Sequence, residues 1–210
     1  MTSMFEIGSK SNKSGMAQAK NFGRMAVLKR LLLFITYWAF RRHQVYFTLR
    51  WSNGNLKLHI GCGNIELKGY INIDIRHAPA ADFVTDARKL PCKSNSVEII
   101  ETYHVIEHIS FSDVESMLHE WYRVLMPKGR LVIECPDFDK AIAEYLSGNE
   151  KRLYSIYGRR RYNGDSHLWG YNAKRLKRLL ISVGFSKTNE LEAKDRHKNE
   201  EPCLRIEATK

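Results

Sequence analysis

The sequence has little cysteine and no apolar segment long enough to span a bilayer. Its 210 residues include 4 Cys, at 62, 92, 135 and 203, and none forms a Cys-x-x-Cys pair. This pattern argues against a disulfide framework or a zinc ribbon, so we expect reduced thiols and a cytoplasmic protein. The main apolar run, residues 31–40, would form about 15 Å of helix, half of a bilayer core of about 30 Å. We therefore expect no transmembrane span, and no signal-peptide cleavage site follows the run.

Acidic residues are scarce in the first fifty positions. This stretch holds nine Lys and Arg against one acid, Glu6, which gives it a net charge of +8. The other 160 residues therefore carry only +3 of the total charge of +11. A basic appendage on a nearly balanced body differs from a uniformly basic nucleic-acid binder. With 43% hydrophobic residues in the whole chain, the sequence has the composition and length of one globular domain.

The appendage divides into two predicted segments ahead of a domain at residues 51–210. Residues 1–22 lack an apolar period and are predicted to be a disordered basic tail. Residues 23–50 are predicted to be an amphipathic helical segment. Its stripe Leu28, Leu31, Leu32, Ile35, Trp38 and Ala39 has helical spacing and could pack on the domain. Alternatively, Tyr37, Trp38 and Phe40 could enter a membrane interface while the flanking basic pairs meet anionic lipid on the inner membrane surface.

From residue 56 onward, short apolar runs alternate with segments of helical periodicity, which predicts an α/β domain with a parallel sheet. The predicted strands are residues 56–60, 70–75, 82–84, 97–101, 130–135, 187–194 and 203–208. The last two are close enough in sequence to pair antiparallel. Ser112 and Glu115 have capping-box spacing ahead of a helix that residues 127–129 would end. Asn172 and Gly184 are the predicted caps of a second helix.

A glycine turn and an acid follow the first two predicted strands. Gly61 and Gly63 come directly after the first strand, and Asp74 lies near the end of the second. Glycines there let a cofactor approach the backbone, and a carboxylate at the second strand end can accept hydrogens from ribose hydroxyls. A Gly-x-Gly turn alone is also compatible with a tight turn that binds no ligand. The motifs that follow it distinguish a cofactor-binding turn from such a turn.

Those motifs come in a characteristic order: DARKLP at 86–91, VEII at 97–100, HVIEH at 104–108, RVLMPKGRL at 123–131 and VIE at 132–134. In order and spacing, residues 56–137 closely resemble the class I S-adenosylmethionine-dependent methyltransferases of the type 11 branch. Short members of this branch, often linked to glycan modification, carry a run similar to GYINID at 69–74. The resemblance implies a Rossmann-like three-layer sandwich. Its seven-stranded sheet is mostly parallel, with an antiparallel C-terminal strand.

The resemblance also implies how S-adenosylmethionine is held. Gly61 and Gly63 would form the turn under its methionine part, Asp74 would bind the ribose hydroxyls, and Asp86 would face the adenine amino group. The full predicted cofactor-binding set is His59, Gly61, Cys62, Gly63, Asp74, Ile75, Asp86, Ala87, Arg88 and Tyr103. The backbone amide of Ala87 would meet the adenine ring.

Two features depart from the family pattern. His59 stands where many members have an acid, and Ile65 stands where they have a third glycine, so the amino-acid end of the cofactor would be held differently. Only residues 64–69 separate the glycine turn from the second strand, whereas a parallel crossover usually needs a dozen residues or more. The first crossover helix is therefore predicted to be vestigial, and residues 25–50 are candidates to cover the exposed sheet face.

The catalytic candidates are three histidines. Methyl transfer to a hydroxyl needs alignment and a base, and it requires no metal. His104 directly follows the fourth strand and is the first choice as base. His108, which could instead brace the following helix, and His167 are the alternatives. His167 belongs to a segment, residues 151–171, where Arg159–Arg161 could bind phosphate and Trp169 could stack on a sugar.

The sequence predicts a methyltransferase that acts on a glycan, nucleotide-sugar or other small-molecule acceptor, through oxygen. Two alternatives stay open. The first is an RNA methyltransferase that uses the basic N-terminus on phosphates, although no RNA-binding module is recognisable. The second is an inactive cofactor-binding adaptor that docks on a membrane or a partner.

Overall fold

The computed structural model describes residues 28, 30–33, 35–36, 39–40, 42–52 and 54–210. The chain divides into two compact units, Met1–His43 and Gln44–Lys210. In the first unit, the described residues are helical, and six large apolar side chains are each more than half exposed: Leu28, Leu31, Leu32, Leu33, Ile35 and Phe40. The predicted tail, residues 1–22, and residues 37 and 38 lie outside the described part. Within that part, no helix is long and apolar enough to cross a membrane.

The second unit is built around a seven-stranded sheet. Its strands are β1 (Leu56–Ile60), β2 (Ile71–Asp74), β3 (Phe83–Val84), β4 (Val97–Tyr103), β5 (Leu125–Pro136), β6 (Lys187–Leu191) and β7 (Cys203–Thr209), in the order β3-β2-β1-β4-β5-β7-β6. Only β7 is antiparallel to its neighbours, β5 and β6. The predicted fold class and the antiparallel final pair are confirmed. The strand order reverses between β1 and β4, where open α/β sheets place a ligand beyond the carboxyl strand ends.

Five helices accompany the sheet in the described part of the second unit. They are α1 (residues 44–51, the part of the described helical stretch 42–51 that belongs to this unit), α2 (Phe111–Val124), α3 (Phe138–Leu146), α4 (Arg152–Tyr157) and α5 (Ala173–Val183), with short 3-10 turns at Ile106–His108 and Arg196–Asn199. Both predicted caps of α5 are confirmed. The Asn172 side chain accepts a hydrogen bond from the Arg175 amide, and Gly184 is left-handed at φ 118°.

The predicted start and stop of α2 are wrong. Ser110 is the N-cap and makes no side-chain cap bond, while Ser112 lies inside the first turn. The helix ends at Val124 and β5 begins at once, so residues 127–129 do not end it. These residues belong to β5 instead. The pairing register between β4 and β5 shifts between Leu125 and Arg130, and Lys128, in this interval, has a positive φ of 66°.

The connection from β1 to the parallel strand β2, residues 61–70, contains no helix, which confirms the vestigial crossover. Helix α1 contributes to the core of the second unit. Leu49 is fully buried there, Val45 packs against the same core, and the Tyr46 ring lies 6.2 Å from the Phe83 ring of β3. Helices α2 and α5 supply further core side chains: Val114, Met117, Leu118, Trp121, Val124, Leu176, Leu180 and Val183.

Candidate functional site

A cavity of about 870 Å³ lies beyond the carboxyl ends of β1, β2 and β4. All the predicted site residues line it: His59, Gly61, Cys62, Gly63, Asp74, Ile75, Asp86, Ala87, Arg88, Tyr103, His104, His108 and His167. The structure thus brings together residues more than a hundred positions apart. Their individual roles stay predictions.

The turn after β1 contains two glycines, and at the first of them, Gly61, there is no room for a side chain. Gly61 has φ 75° and donates its amide hydrogen to the Ile73 carbonyl at 2.8 Å. A Cβ atom at Gly61 would lie 2.0 Å from a Val105 methyl group, which no packing tolerates. Gly63 has φ 52°, and a Cβ there would meet nothing within 4 Å. The two glycines therefore keep the backbone at the cavity wall close to any occupant.

Asp74 ends β2 and is held by the same turn. Its side chain is buried, and Oδ2 accepts a hydrogen bond from the Gly63 amide at 2.9 Å. Oδ1 accepts one from the Arg76 amide, also at 2.9 Å. A carboxylate offers about four lone-pair positions, so two remain after these local bonds. Asp74 can therefore brace the turn and still accept hydrogens from ligand hydroxyls.

Asp86 already has a cationic partner. Its carboxylate accepts hydrogen bonds from the Arg88 amide at 2.9 Å and from Arg88 Nη2 at 2.7 Å. These side-chain bonds hold the pKa of Asp86 below its usual value. Arg88 also pairs with Asp113 at 2.8 Å, and the Ala87 carbonyl accepts a hydrogen bond from Trp121 Nε1. An adenine amino group at Asp86 would have to share a carboxylate that Arg88 engages.

His59 and Cys62 are buried against the turn. His59 Nδ1 lies 2.9 Å from Asn72 Oδ1, which also accepts the Leu67 amide at 2.8 Å. Burial lowers the pKa of His59, so the imidazole is neutral and cannot replace the acid of the family pattern. Burial raises the pKa of the Cys62 thiol to about 12, which makes it an unreactive wall residue. Ile75, in contrast, is well exposed.

Sequence analysis missed the contribution of the segment between β6 and β7. Lys194, Asp195, Arg196, His197 and Glu201 all line the cavity. The fully buried carboxylate of Glu134 in β5 anchors this segment, because it accepts the amides of Lys194 at 3.0 Å and Asp195 at 2.9 Å. The sequence does contain a feature that could have indicated this contribution. It is the charged run that joins the last two strands, which were predicted to pair as a hairpin.

Tyr103 belongs to a second anchor of that segment. Glu101 accepts hydrogen bonds from Tyr103, from Tyr70 at 2.7 Å and from Lys194 Nζ at 3.1 Å. Burial alone would raise the pKa of Glu101, but these donors outweigh it and lower the pKa to about 2. Arg205 Nη2 lies 3.5 Å from the same carboxylate. The Tyr103 hydroxyl is therefore engaged in the wall, and its ring faces the cavity residues.

His104 lies among acidic groups. Its Nδ1 is 3.2 Å from Glu107 Oε1, its Nε2 is 3.9 Å from Asp195 Oδ2, and Cys203 Sγ is 3.8 Å from Nε2. Burial would lower the pKa of His104, but Cys203 and Glu107 outweigh it and raise the pKa well above its usual value. A protonated imidazole has no lone pair, so this environment does not favour the predicted role of His104 as base.

His108 and His167 have the opposite character. Nδ1 of His108 lies 3.0 Å from the Ser166 carbonyl, and Nδ1 of His167 lies 2.9 Å from the Ser155 carbonyl. A carbonyl only accepts, so each Nδ1 donates its hydrogen. Nε2 is then the ring nitrogen that is left to accept a hydrogen bond or bind a ligand. The rings contact each other at a centroid distance of 5.0 Å.

Two expectations for residues 151–171 gain no support from the contacts of these side chains. Arg159 pairs with Glu200, and Arg161 pairs with Asp165 at 2.9 Å, so neither is an unpaired phosphate ligand. The Trp169 ring contacts the Phe111 ring at 4.6 Å and is not among the cavity-lining residues. Tyr154 and Tyr162 are the aromatic residues of this segment that line the cavity.

The comparisons with known proteins agree with this geometry. Residues 58–133 match the family described as "Methyltransferase domain". The chain is 31% identical over 102 residues to an uncharacterised 37.1 kDa protein encoded in transposon TN4556 of Streptomyces fradiae. That match covers 48% of this chain and 28% of the relative, so the chain spans less than a third of the relative's length.

Solved structures of S-adenosylmethionine-dependent methyltransferases share the fold. One from Thermotoga maritima, described as a possible histamine N-methyltransferase, superposes with a TM-score of 0.52 at 17% identity, over 88% of this chain and 99% of that one. One from Methanosarcina mazei gives a TM-score of 0.54 at 19% identity, over 77% and 94%. The fold is therefore that of the Rossmann-like methyltransferases, and the match to the methyltransferase-domain family covers residues 58–133. S-adenosylmethionine is the cofactor that the domain and the fold indicate.

The residues present fit this cofactor. The turn at Gly61 excludes a Cβ, the backbone at Gly63 faces open space, and the buried carboxylate of Asp74 keeps lone pairs toward the cavity. These are the groups that would lie along the methionine part and at the ribose hydroxyls.

Proposed function

We propose that the protein is an S-adenosylmethionine-dependent methyltransferase that acts on a hydroxyl of a small, saccharide-type acceptor. The observation that carries this proposal is the division of one cavity into two walls. The same cavity is lined by Gly61, Gly63 and Asp74, which we assign to the cofactor, and by His108 and His167, which we assign to the acceptor. The volume of about 870 Å³ is near the top of the range for small-molecule sites, about 300–1,000 Å³.

The bound cofactor supplies an electrophilic methyl group on a sulfonium. The chain then has to place an acceptor oxygen in line with that methyl group, and such positioning accounts for much of the rate of bimolecular transfer. The Nε2 lone pairs of His108 and His167 mark the place for the acceptor hydroxyl. Tyr154 and Tyr162 add aromatic surface on which a sugar ring can pack.

The charge pattern supports a neutral acceptor over RNA. Six Lys and Arg residues line the cavity, and five of them lie within 4 Å of a carboxylate: Arg76, Arg88, Arg159, Arg161 and Lys194. The sixth, Arg196, has no ion pair among the described residues. Phosphate backbones are bound by uncompensated Lys and Arg side chains. The cavity therefore suits a hydroxyl-rich, uncharged group better than a polyanion.

The test is transfer of a labelled methyl group from S-adenosylmethionine into separated glycan, small-molecule, lipid and RNA fractions of a cell extract. We expect label in the saccharide-containing small-molecule or glycan fraction, stable to mild alkali as an ether is. Gly61→Ala is the inactive control. Label in RNA would contradict the acceptor class. Cofactor binding without transfer to any fraction would favour the adaptor alternative.

We further propose that the basic appendage brings the enzyme to an anionic membrane surface on its cytoplasmic side. The support is the net charge of +8 in residues 1–50 together with the exposed apolar side chains of the first unit. An interfacial helix combines such apolar residues with basic ones that meet lipid head groups.

A further inference from the structure

We propose that Glu107, His108 and His167 bind a divalent transition-metal cation at the wall of the cavity. One nitrogen of each imidazole and one oxygen of the carboxylate lie within 4.8 Å of one another. Two imidazoles and a carboxylate form a ligand set that suits Zn²⁺ and similar ions. The sequence predicts no metal here, because His167 comes from a distant segment that only the fold brings next to residues 107 and 108.

The Glu107 carboxylate is the observation that points to a cation. It is 2% exposed, and neither oxygen has a hydrogen-bond partner among the residues that the structure describes. His104 Nδ1 lies 3.2 Å from Oε1 and forms an ion pair with it, although the pair is outside hydrogen-bond geometry, so Oε2 is the oxygen that lacks a partner of either kind. Buried carboxylates are normally satisfied by hydrogen bonds or by metal ions. A cation at this position would satisfy the free lone pairs.

The two histidines are oriented as metal ligands usually are. A ligating imidazole typically donates its other ring hydrogen to a carbonyl or carboxylate, which fixes its tautomer and ring plane. His108 does so to Ser166, and His167 does so to Ser155. The main chain thus holds both rings with Nε2 as the available nitrogen. Both are partly exposed and line the cavity, which gives an ion a route of entry.

A second histidine and acid cluster is less suited. His104, Asp195 and His197 also lie within ligand distance of one another. However, Asp195 is already paired with the ring of His197 and accepts the His197 amide at 3.3 Å. Its carboxylate is therefore satisfied without an ion, unlike that of Glu107.

Three protein ligands leave coordination positions open toward the cavity. An acceptor oxygen bound there would lose its proton more readily, because a divalent cation lowers the pKa of a bound hydroxyl. This role of the ion rests on the proposed function, and in the metal-bound protein the ion takes the place of the two Nε2 atoms in holding the acceptor oxygen. The binding of the ion itself does not, and the test separates the two.

The experiment uses the full chain, stripped with a chelator and dialysed against Zn²⁺ alone, without S-adenosylmethionine. We expect one Zn²⁺ per chain by elemental analysis. Glu107→Gln and His167→Gln should each weaken the affinity by at least about 10-fold, measured by competition with a chromogenic chelator. His119→Gln is the matched control, because His119 is exposed on α2 and pairs only loosely with Glu115 at 4.0 Å. It should bind Zn²⁺ like the unaltered chain.

The proposal would be overturned if the unaltered chain retained no Zn²⁺. It would also be overturned if both ligand variants bound Zn²⁺ as tightly as the unaltered chain. Loss of binding in His197→Gln but not in His167→Gln would also overturn it, because the ion would then lie in the other cluster. If Glu107→Gln fails to fold, as judged by circular dichroism, the Zn²⁺ affinity of His167→Gln alone tests the proposal. Full methyl transfer by the metal-free chain would refute the role at the acceptor while leaving the proposed function intact.

Discussion

At the scale of single residues, the cofactor wall depends on a position without a side chain. Gly61→Ala places a methyl group 2.0 Å from Val105 Cγ2 and keeps a left-handed backbone at φ 75°. We expect this variant to lose S-adenosylmethionine binding in a calorimetric titration. Gly148→Ala is the matched control, since Gly148 also has positive φ, at 101°, but meets nothing within 4 Å and lies outside the cavity-lining set. Both variants should lose about 1–2 kcal/mol of stability from backbone strain.

The double variant Gly61→Ala with Val105→Ala separates the clash from the strain. Removing the Val105 methyl groups takes away the atoms that the new Cβ would strike. Binding should return in part, while the strain cost remains. Normal binding by Gly61→Ala alone would contradict the placement of the cofactor at this turn.

Single residues also show how far sequence can predict a site. Gly61, Gly63 and Asp74 were placed correctly in the cavity wall because a short turn positions them relative to nearby strand ends. Trp169 was expected at the acceptor but its ring lies against Phe111, because a segment of polar and aromatic residues does not reveal which ring faces the cavity. The contrast between His104 and His167 depends on their neighbours, and those come from distant parts of the chain.

At the scale of elements, Glu101 joins β4 to the segment that follows β6. Its pKa is about 2 in the folded protein and about 4.5 when unpaired. A lowered pKa means that the charged form stabilises the fold above about pH 4.5, and that this stabilisation disappears as pH falls toward 2. The difference corresponds to roughly 3 kcal/mol at neutral pH. Glu101→Gln should therefore lower the free energy of unfolding most at neutral pH.

Urea unfolding of both chains between pH 7 and pH 2 measures this effect. The gap between the unaltered chain and Glu101→Gln should narrow as pH falls below about 5. Glu98→Gln on the same strand is the control, because Glu98 is exposed and only 3.9 Å from Lys57. A gap that stays constant or widens toward low pH would show that the Glu101 carboxylate is not stabilised in the fold.

Sequence predicted the elements better than their connections. Strand β1 and both caps of α5 follow from local patterns, and they match the structure. The capping box at Ser112 failed, because the chain enters α2 earlier, at Phe111. The link between Glu101 and Arg205 was not predictable, because these residues are 104 positions apart and meet only after β7 inserts beside β5.

At the scale of the whole molecule, the core position of Leu49 supports the prediction that α1 covers the sheet face left by the missing crossover helix. Leu49 is fully buried in the main core, whereas Leu33 of the first unit is 69% exposed. Leu49→Ala should lower the free energy of unfolding by about 2–5 kcal/mol, and Leu33→Ala should change it little. Deleting residues 1–22 should leave a folded domain, while deleting residues 1–50 should unfold it. A folded, cofactor-binding chain that begins at residue 51 would contradict this role of α1.

Membrane docking is tested by co-sedimentation with vesicles of anionic and of neutral lipid. The full chain should bind the anionic vesicles, and added salt should weaken binding, since each basic residue near the surface contributes about 1 kcal/mol at low screening. Trp38→Ala should also reduce binding. Equal binding of the full chain to both kinds of vesicle would contradict the proposal. So would a chain that lacks residues 1–22 and carries Trp38→Ala but binds anionic vesicles as strongly as the full chain.

We expect S-adenosylmethionine to bind in the cavity that the glycine turn and Asp74 line. Calorimetric titration of that cofactor into the full chain and into Asp74→Asn tests this placement most directly. The account predicts one site per chain. Binding should weaken by roughly 10- to 100-fold in the variant, because a charge-assisted hydrogen bond is worth about 1.5–3 kcal/mol. Asp139→Asn, which alters an exposed acid that pairs with Asn172, should bind normally. No binding by the unaltered chain, or equal affinity in Asp74→Asn, would contradict the account.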